Sequence, residues 1–380
     1  MTDKTETILR SEEKAIFSLR ELYESYGYKK YRMSKFEEYD LYAENRAFLG
    51  GGSIITFNDT HGKLLALKPD VTLSIVKNAS PGVLVKEYYN ENVYRAIDGE
   101  YREIMQVGLE CIGTDDLYST CEVLLLAKKS LERLACGSGG YILDMSNGAF
   151  IGGLCDMADM QYDVREAVLK CVSGKNTHDL CHICRENGVD DEIIDRLVAT
   201  ASSYGKASSL IPGMYSLVMN DTMKTALDRL AAICDFMEAC GEGDRLNLDF
   251  SLINDMNYYD GIIFRGFIEG VPRGILSGGR YDRLLYKMGK RMGAVGFAVY
   301  MNELELYFDR LDHAGGDMTD YDVDILITYD DHADPAALTR TVKMLTGCGR
   351  SVRVQRGEPG ALKYREHFRY GIGGLEIAAT

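Results

Sequence analysis

The sequence predicts an α+β protein: an antiparallel sheet flanked by helices, with a helical insertion and a small C-terminal α/β unit. Three observations carry this reading. Strand-like apolar alternation recurs before residue 146 and again after residue 245, which suits strands with one covered face. Between those stretches, amphipathic helical patterns take over. Residues 321–380 then alternate strand and helix patterns, the mark of a small α/β unit. The expected division is 1–320, with the insertion at about 146–245, followed by 321–380. Ala314–Asp320, with its glycines and aspartates, reads as the linker.

Taken in order, Ser11 opens a helix, with Glu12 and Glu13 in the first turn where acids complement the dipole. Ile16, Leu19, Leu22, Tyr23 and Tyr26 recur at helical spacing, and Gly27 is a natural stop. Strands are expected at Ser53–Asn58, Lys63–Thr72, Val83–Arg95 and Arg102–Ile112. A helix follows from Asp116 to Leu134, its buried stripe built from Leu117, Cys121, Leu124, Leu125, Leu131 and Leu134. The insertion shows helices at Arg165–Val172, Asp191–Ser203 and Lys224–Ala239. Sheet patterns resume at Leu246–Ile253, Tyr258–Glu269, Gly274–Ser277 and Ala294–Tyr300, before a helix at Asn302–Arg310. The C-terminal unit reads as strand Val323–Thr328, helix Pro335–Leu345, strand Ser351–Gln355 and helix Leu362–Phe368.

Composition narrows the class. The chain has 380 residues, 46% of them hydrophobic, enough for a large core with appended units. No apolar run approaches the roughly 20 residues that cross a bilayer. The N-terminus lacks the apolar core of a secretory signal, so the expectation is a cytoplasmic protein without membrane contact. Ten cysteines show no framework spacing and read as reduced thiols. A net charge of -15 offers little attraction to a phosphate backbone and argues against tRNA as a partner.

Residues 105–110, Met-Gln-Val-Gly-Leu-Glu, are the first candidate wall of a pocket. Side chains alternate along a strand, so Gln106, Gly108 and Glu110 share one face, while Met105, Val107, Leu109 and Cys111 share the other. Gln106 and Glu110 then stand roughly 13 Å apart, and Gly108 between them leaves the backbone open to a ligand. Taken alone, this is an ordinary half-exposed strand.

Four motifs in order turn that strand into something more specific. Ala66-Leu-Lys-Pro-Asp70-Val-Thr72, the 105–110 stretch, Asn257-Tyr258-Tyr259-Asp260-Gly261 and Ser277-Gly-Gly-Arg280-Tyr281-Asp282 resemble signatures of the histidyl-tRNA synthetases, a class II aminoacyl-tRNA synthetase family. The resemblance implies a class II synthetase-like fold and a histidine pocket. In it, Asp70, Thr72 and Glu110 would hold the ammonium, and Arg95 would pair the carboxylate. Tyr258, Tyr259, Arg280, Tyr281 and Gln106 would complete the lining, with the tyrosines and Gln106 suited to the imidazole.

The nucleotide half departs from that family. Ile97 stands where the family carries a glutamate, and the loop Asp98-Gly99-Glu100 is short. Gly296–Leu304 aligns with the ATP-binding pattern, but Glu303 replaces its arginine and Tyr300 a glycine. Asn254 stands at the position of a catalytic arginine. Carboxylate in place of guanidinium beside a triphosphate turns attraction into repulsion. A kept amino-acid pocket without the ATP machinery is similar to the family of ATP phosphoribosyltransferase regulatory subunits. That resemblance implies no catalytic residue and no cofactor. It also implies a partner, the short-form catalytic subunit of the first step of histidine biosynthesis, and L-histidine as effector.

A segment resembling the dimer-forming motif at Gly27–Tyr42, with Ser34 in place of a proline, implies a homodimer within a hetero-oligomer. The C-terminal unit resembles a curtailed anticodon-binding domain. The rival readings are an active histidyl-tRNA synthetase, or a stand-alone paralogue with an RNA or ligase role. Both need ATP chemistry or a basic face.

Two other features carry less. His178-Asp-Leu-Cys181-His182-Ile-Cys184 fits no common zinc spacing and reads as a plain helix, so no metal is expected. Gly50-Gly51-Gly52 lacks a following Gly-Lys-Ser/Thr and reads as the approach to a hairpin rather than a phosphate loop.

Overall fold

The computed structural model of the chain describes residues 9–49, 54–97, 99–135, 140–253, 259, 261–314, 321–371 and 374–378. The glycines at 50–52, Asp98, Asn254, Tyr258 and most of the expected linker therefore lie outside the described residues. The chain divides into two compact units, Met1–Phe308 and Asp309–Thr380. The division falls before the linker that composition suggests.

In the first unit, α1 (Ser11–Ser25) leads to the short strands β1 (Lys29–Lys30) and β2 (Phe36–Glu38). α2 (Tyr39–Glu44), β3 (Thr56–Asn58), β4 (Leu64–Leu67) and α3 (Thr72–Asn78) follow. Next come the long strands β5 (Val85–Ile97) and β6 (Glu100–Ile112), then α4 (Leu117–Leu134) and β7 (Tyr141–Asn147). The insertion holds α5 (Gly148–Met157), α6 (Tyr162–Ser173), α7 (Thr177–Glu186) and α8 (Asp191–Ser202). It continues through β8 (Tyr204–Lys206), α9 (Ala207–Met214) and α10 (Asp221–Ala239). β9 (Leu246–Asp249), β10 (Ile262–Ile268), β11 (Leu276–Arg280), α11 (Asp282–Lys287) and β12 (Ala294–Tyr300) complete the sheet, and α12 (Glu305–Ala314) follows.

Local chemistry sets these boundaries. Gly27 adopts φ 82, so α1 ends where only glycine is at ease. The Asp116 carboxylate accepts the Ser119 N–H at 2.7 Å and caps α4. β4 stops at Leu67 rather than reaching Thr72, which corrects the longer strand expected there. Pro69 has no N–H to give a ladder, and the Asp70 carboxylate accepts the Leu73 N–H at 2.9 Å, so the chain turns into α3. Leu117, expected in the buried stripe of α4, is 47% exposed because it sits at the helix's first position.

Nine strands form the main sheet in the order β1-β5-β6-β12-β11-β10-β7-β9-β8. From β5 to β7 all neighbours are antiparallel. The pairs β1–β5 and β7–β9 are parallel, so the sheet is mixed toward its edges. α1 and α4 cover one face; Leu131 of α4 lies so close to Gly266 of β10 that a Cβ there would meet its Cδ2 at 2.6 Å. The opposite face meets α3, α11 and the three-stranded sheet β2-β4-β3 around a core that includes Tyr42, Leu73, Tyr89, Tyr281 and Leu284. That face carries the site. Among the described residues no helix is long and apolar enough to cross a membrane.

The second unit holds β13 (Val323–Tyr329), α13 (Pro335–Gly347), β14 (Val352–Arg356), β15 (Tyr364–Gly371) and β16 (Gly374–Ile377). Its sheet runs β14-β13-β15-β16, with β13 parallel to both neighbours and β15 antiparallel to β16. Ile325, Ile327, Leu338 and Tyr370 form its core. The segment Leu362–Phe368, expected to be helical, instead enters β15. Buried Tyr370 and half-buried Tyr364, Glu366 and Phe368 pack at a period of two, which is strand rather than helix spacing.

Candidate functional site

A cavity of about 610 Å³ opens on the face of the sheet away from α1 and α4, within the size range of small-molecule sites. Beneath it and the rings that line it run register rows across three strands. Ser277, Ala298 and Gly108 stand side by side on β11, β12 and β6, as do Gly279, Gly296 and Glu110. These floor residues are small for a reason the packing makes plain. A Cβ on Gly108 would meet the Tyr89 ring at 2.6 Å, and one on Gly279 would meet the Tyr259 ring at 2.5 Å. A Cβ on Gly296 would collide with Glu110 Oε2. The bare backbone lets two aromatic rings and one carboxylate lie along the sheet.

Glu110 is the centre of the site. Buried at 2% exposure, it accepts hydrogen bonds from Thr72 Oγ1 at 2.7 Å, from the Tyr89 hydroxyl at 3.5 Å and from the Tyr281 hydroxyl. Burial pushes its carboxyl up to about 8, and nearby Asp70 adds to the rise, while the three hydroxyls oppose it. Asp70 is also raised by burial, against the pull of Arg95, whose Nη2 lies 3.6 Å from Asp70 Oδ2. Arg95 Nε donates to the Pro69 carbonyl at 2.8 Å, so its guanidinium is tied to the turn that precedes α3. Burial raises Tyr89 and Tyr259 well above the ordinary tyrosine value, which keeps both hydroxyls protonated as donors.

The cavity therefore gathers Asp70, Thr72, Arg95 and Gln106 with Glu110, Tyr259 and Tyr281, seven of the nine residues that the sequence singled out. Tyr258 lies outside the described residues. Arg280 stands apart: it points to the helix-covered face, donating to Asp282 Oδ2 at 3.0 Å and to Thr120 Oγ1 of α4 at 3.2 Å. Neighbours along a strand face opposite ways, so Arg280 and Tyr281 do not share a pocket. The structure adds Tyr89, Ser277 and Arg265, which the sequence reading did not single out. Tyr89 is the cross-strand partner of Gly108, a relation that needs the register to be seen.

Of the exchanges expected to exclude ATP, Tyr300 lies in the same cavity and Glu303 beside it. Tyr300 lines it, cross-strand from Gln106. Glu303 sits just beyond β12 and lies 3.8 Å from Arg273, a lining residue on the β10–β11 turn. A carboxylate thus stands near the mouth, next to an arginine it partly neutralises. Elsewhere, His178 and His182 are exposed on α7 beside Asp179 and Glu186, and Cys184 is buried. Among the described residues no group of three or more potential ligands is placed to hold a metal ion.

What the arrangement can do is bind a small cationic ligand. Two buried carboxylates repel one another and are costly to ionise, and a ligand ammonium or imidazolium relieves both costs. Tyrosine faces supply flat apolar walls with polar tips.

Comparison with known proteins shows the family and the fold. A family model described as Histidyl-tRNA synthetase matches residues 2–304. The ATP phosphoribosyltransferase regulatory subunit of Clostridium kluyveri is 30% identical over 291 residues, 74% of each chain. Among solved structures, an ATP phosphoribosyltransferase regulatory subunit/histidyl-tRNA synthetase from Bacillus halodurans superposes with TM-score 0.72 at 21% identity, covering 94% of this chain and 93% of that one. A chain of the ATP phosphoribosyl transferase (HisG:HisZ) complex from Thermotoga maritima gives TM-score 0.61 at 18% identity, covering 76% of this chain and 97% of that one.

Proposed function

We infer that this chain regulates rather than catalyses, from the premise that it belongs to the family of ATP phosphoribosyltransferase regulatory subunits, built on the histidyl-tRNA synthetase fold. On this reading it is a non-catalytic, cytoplasmic subunit that forms a homodimer and joins the short-form catalytic subunit in the first step of histidine biosynthesis. It activates that partner, and L-histidine bound in the cavity shifts the assembly toward a less active state.

The observation that carries the reading is the contrast within one cavity. Glu110, held by the hydroxyls of Thr72, Tyr89 and Tyr281, is prepared for a cationic amino-acid group. Away from it, Tyr300 takes up space that a nucleotide would need, and Glu303, beside the lining, draws on Arg273, a cation that a triphosphate would require. Support for the partner comes from the names of the relatives. For feedback to occur, histidine must bind one assembly state better than the other; such coupling typically amounts to about 1–3 kcal/mol.

Co-expression with a short-form catalytic subunit, followed by an activity titration with histidine, tests the whole reading. The two chains co-purify, activity exceeds that of the catalytic subunit alone, and histidine suppresses it. Absence of stimulation together with absence of a histidine response defeats the proposal.

A further inference from the structure

We propose that Arg265, on β10 at the end of the cavity opposite Glu110, is the residue that holds the carboxylate of the bound amino acid. The inference rests on the reading that the cavity takes histidine, and it assigns a role the sequence had given to Arg95.

Three arginines line the cavity: Arg95, Arg265 and Arg273. Arg95 is committed to Asp70 and to the Pro69 carbonyl. Arg273 is 76% exposed at its side chain and faces Glu303. Among the described residues no carboxylate lies within ion-pair distance of Arg265. Its direct neighbour across the β10–β7 pairing is Asp144, but the Asp144 carboxylate accepts from Asn247 at 3.2 Å instead. Arg265 is thus a half-buried cation lining a cavity, without a described counter-ion.

Its placement suits an amino-acid ligand. Arg265 is in register with Ser277, Ala298 and Gly108, and Glu110 lies two residues along from Gly108. Three inter-strand steps and one two-residue rise separate the two Cα atoms by roughly 16 Å. The cavity of about 610 Å³ that both residues line has room for a small molecule between them. Ser277 and Ala298 form the floor of that gap, and the Tyr89 ring covers Gly108, which sequence alone had left open to a ligand. The arginine stem is also supported: a Cβ on Gly274 would meet Arg265 Cδ at 2.7 Å, so the stem rests on bare backbone. Tyr300 lines the same cavity as the two arginines, and both cations oppose the rise that burial gives its hydroxyl. A guanidinium offers the two parallel donors that a carboxylate accepts best.

Calorimetric titration of the full chain with L-histidine and with histamine, which lacks the carboxylate, separates the possibilities. Wild type prefers histidine. Arg265→Gln lowers histidine affinity roughly ten- to hundredfold and leaves histamine affinity unchanged, which also shows the variant to be folded. Arg265→Lys, a point charge without the fork, falls between the two. The inference is overturned if Arg265→Gln binds histidine as wild type does, or loses both ligands equally. If wild type binds neither ligand, the amino-acid reading itself falls and this inference with it.

Discussion

Thr72 Oγ1 donates a 2.7 Å hydrogen bond to Glu110 Oε1 and thereby ties the first residue of α3 to strand β6. The bond joins segments 38 residues apart, and it aims the carboxylate at the cavity rather than at the protein. Its donor is a side-chain hydroxyl on a helix that begins only because Pro69 and Asp70 end the preceding strand.

Thr72→Val keeps the shape and removes that donor. A buried charged acceptor left with one donor fewer loses about 1–3 kcal/mol, so histidine affinity measured by calorimetry falls roughly tenfold. The circular dichroism spectrum stays that of wild type.

Glu110 gives a pH dependence of defined sign. Its folded-state value of about 8 lies above the ordinary 4.5 of the unfolded chain, so between those values the native state holds the extra proton. Stability of the ligand-free protein therefore falls as pH rises through that window. Glu110→Gln removes the liability: at pH 8.5 its Tm exceeds that of wild type, and the difference shrinks toward pH 4.5. Histidine binding to wild type strengthens as pH rises from 6.5 to 8 and releases a proton, seen as a dependence of the binding enthalpy on buffer. Glu110→Gln abolishes that release.

Gly296→Ala places a methyl group against Glu110 Oε2 and 2.5 Å from the Leu109 carbonyl. Backbone on one side leaves the clash little room to relax, so the variant loses histidine binding and melts at lower temperature than wild type. Gly347→Ala, at a helical glycine with nothing within 4 Å, serves as the control: it keeps histidine binding and does not lower the melting temperature.

Lys128 of α4 is nearly fully buried between Glu242 at 2.6 Å and Asp244 at 2.7 Å, pinning α4 to the segment that closes the insertion. Lys128→Met leaves those carboxylates without their shared cation, although Glu242 keeps Lys129 at 2.8 Å. Asp244 is largely exposed and returns to water, so the loss is that of charged hydrogen bonds, about 1–3 kcal/mol. A denaturant titration shows the midpoint shifted down by a corresponding amount, with histidine affinity at low denaturant unchanged because the site lies on the other face of the sheet.

Parts of this architecture that depend on local pattern were legible in the sequence. The period of two in β6 separates Gln106 and Glu110, on the cavity side, from Val107 and Cys111 on the side of α1 and α4. Asp116 marks the start of α4, and Ala294–Tyr300 forms a strand over those same residues. Relations across strands were not legible. Nothing local announces that Tyr89 lies over Gly108 or that Arg265 shares a row with Ser277, because register is a property of the assembled sheet. β7 was missed for another reason: its side chains include Asp144 and Ser146, both buried, which breaks the apolar alternation a strand usually shows. Arg280, expected in the pocket, instead bonds Thr120 of α4, and local pattern is enough to say so. One parity step from Tyr281 already sends it to the opposite face.

On the proposed function, one cavity keeps recognition of an amino acid and has given up ATP. The most direct test of that function is a pair of calorimetric titrations on the same preparation, one with L-histidine and one with magnesium-ATP. Histidine gives a saturable isotherm and ATP gives none, with or without histidine present. Saturable ATP binding in the cavity beside Glu303, strengthened by histidine, would contradict that function.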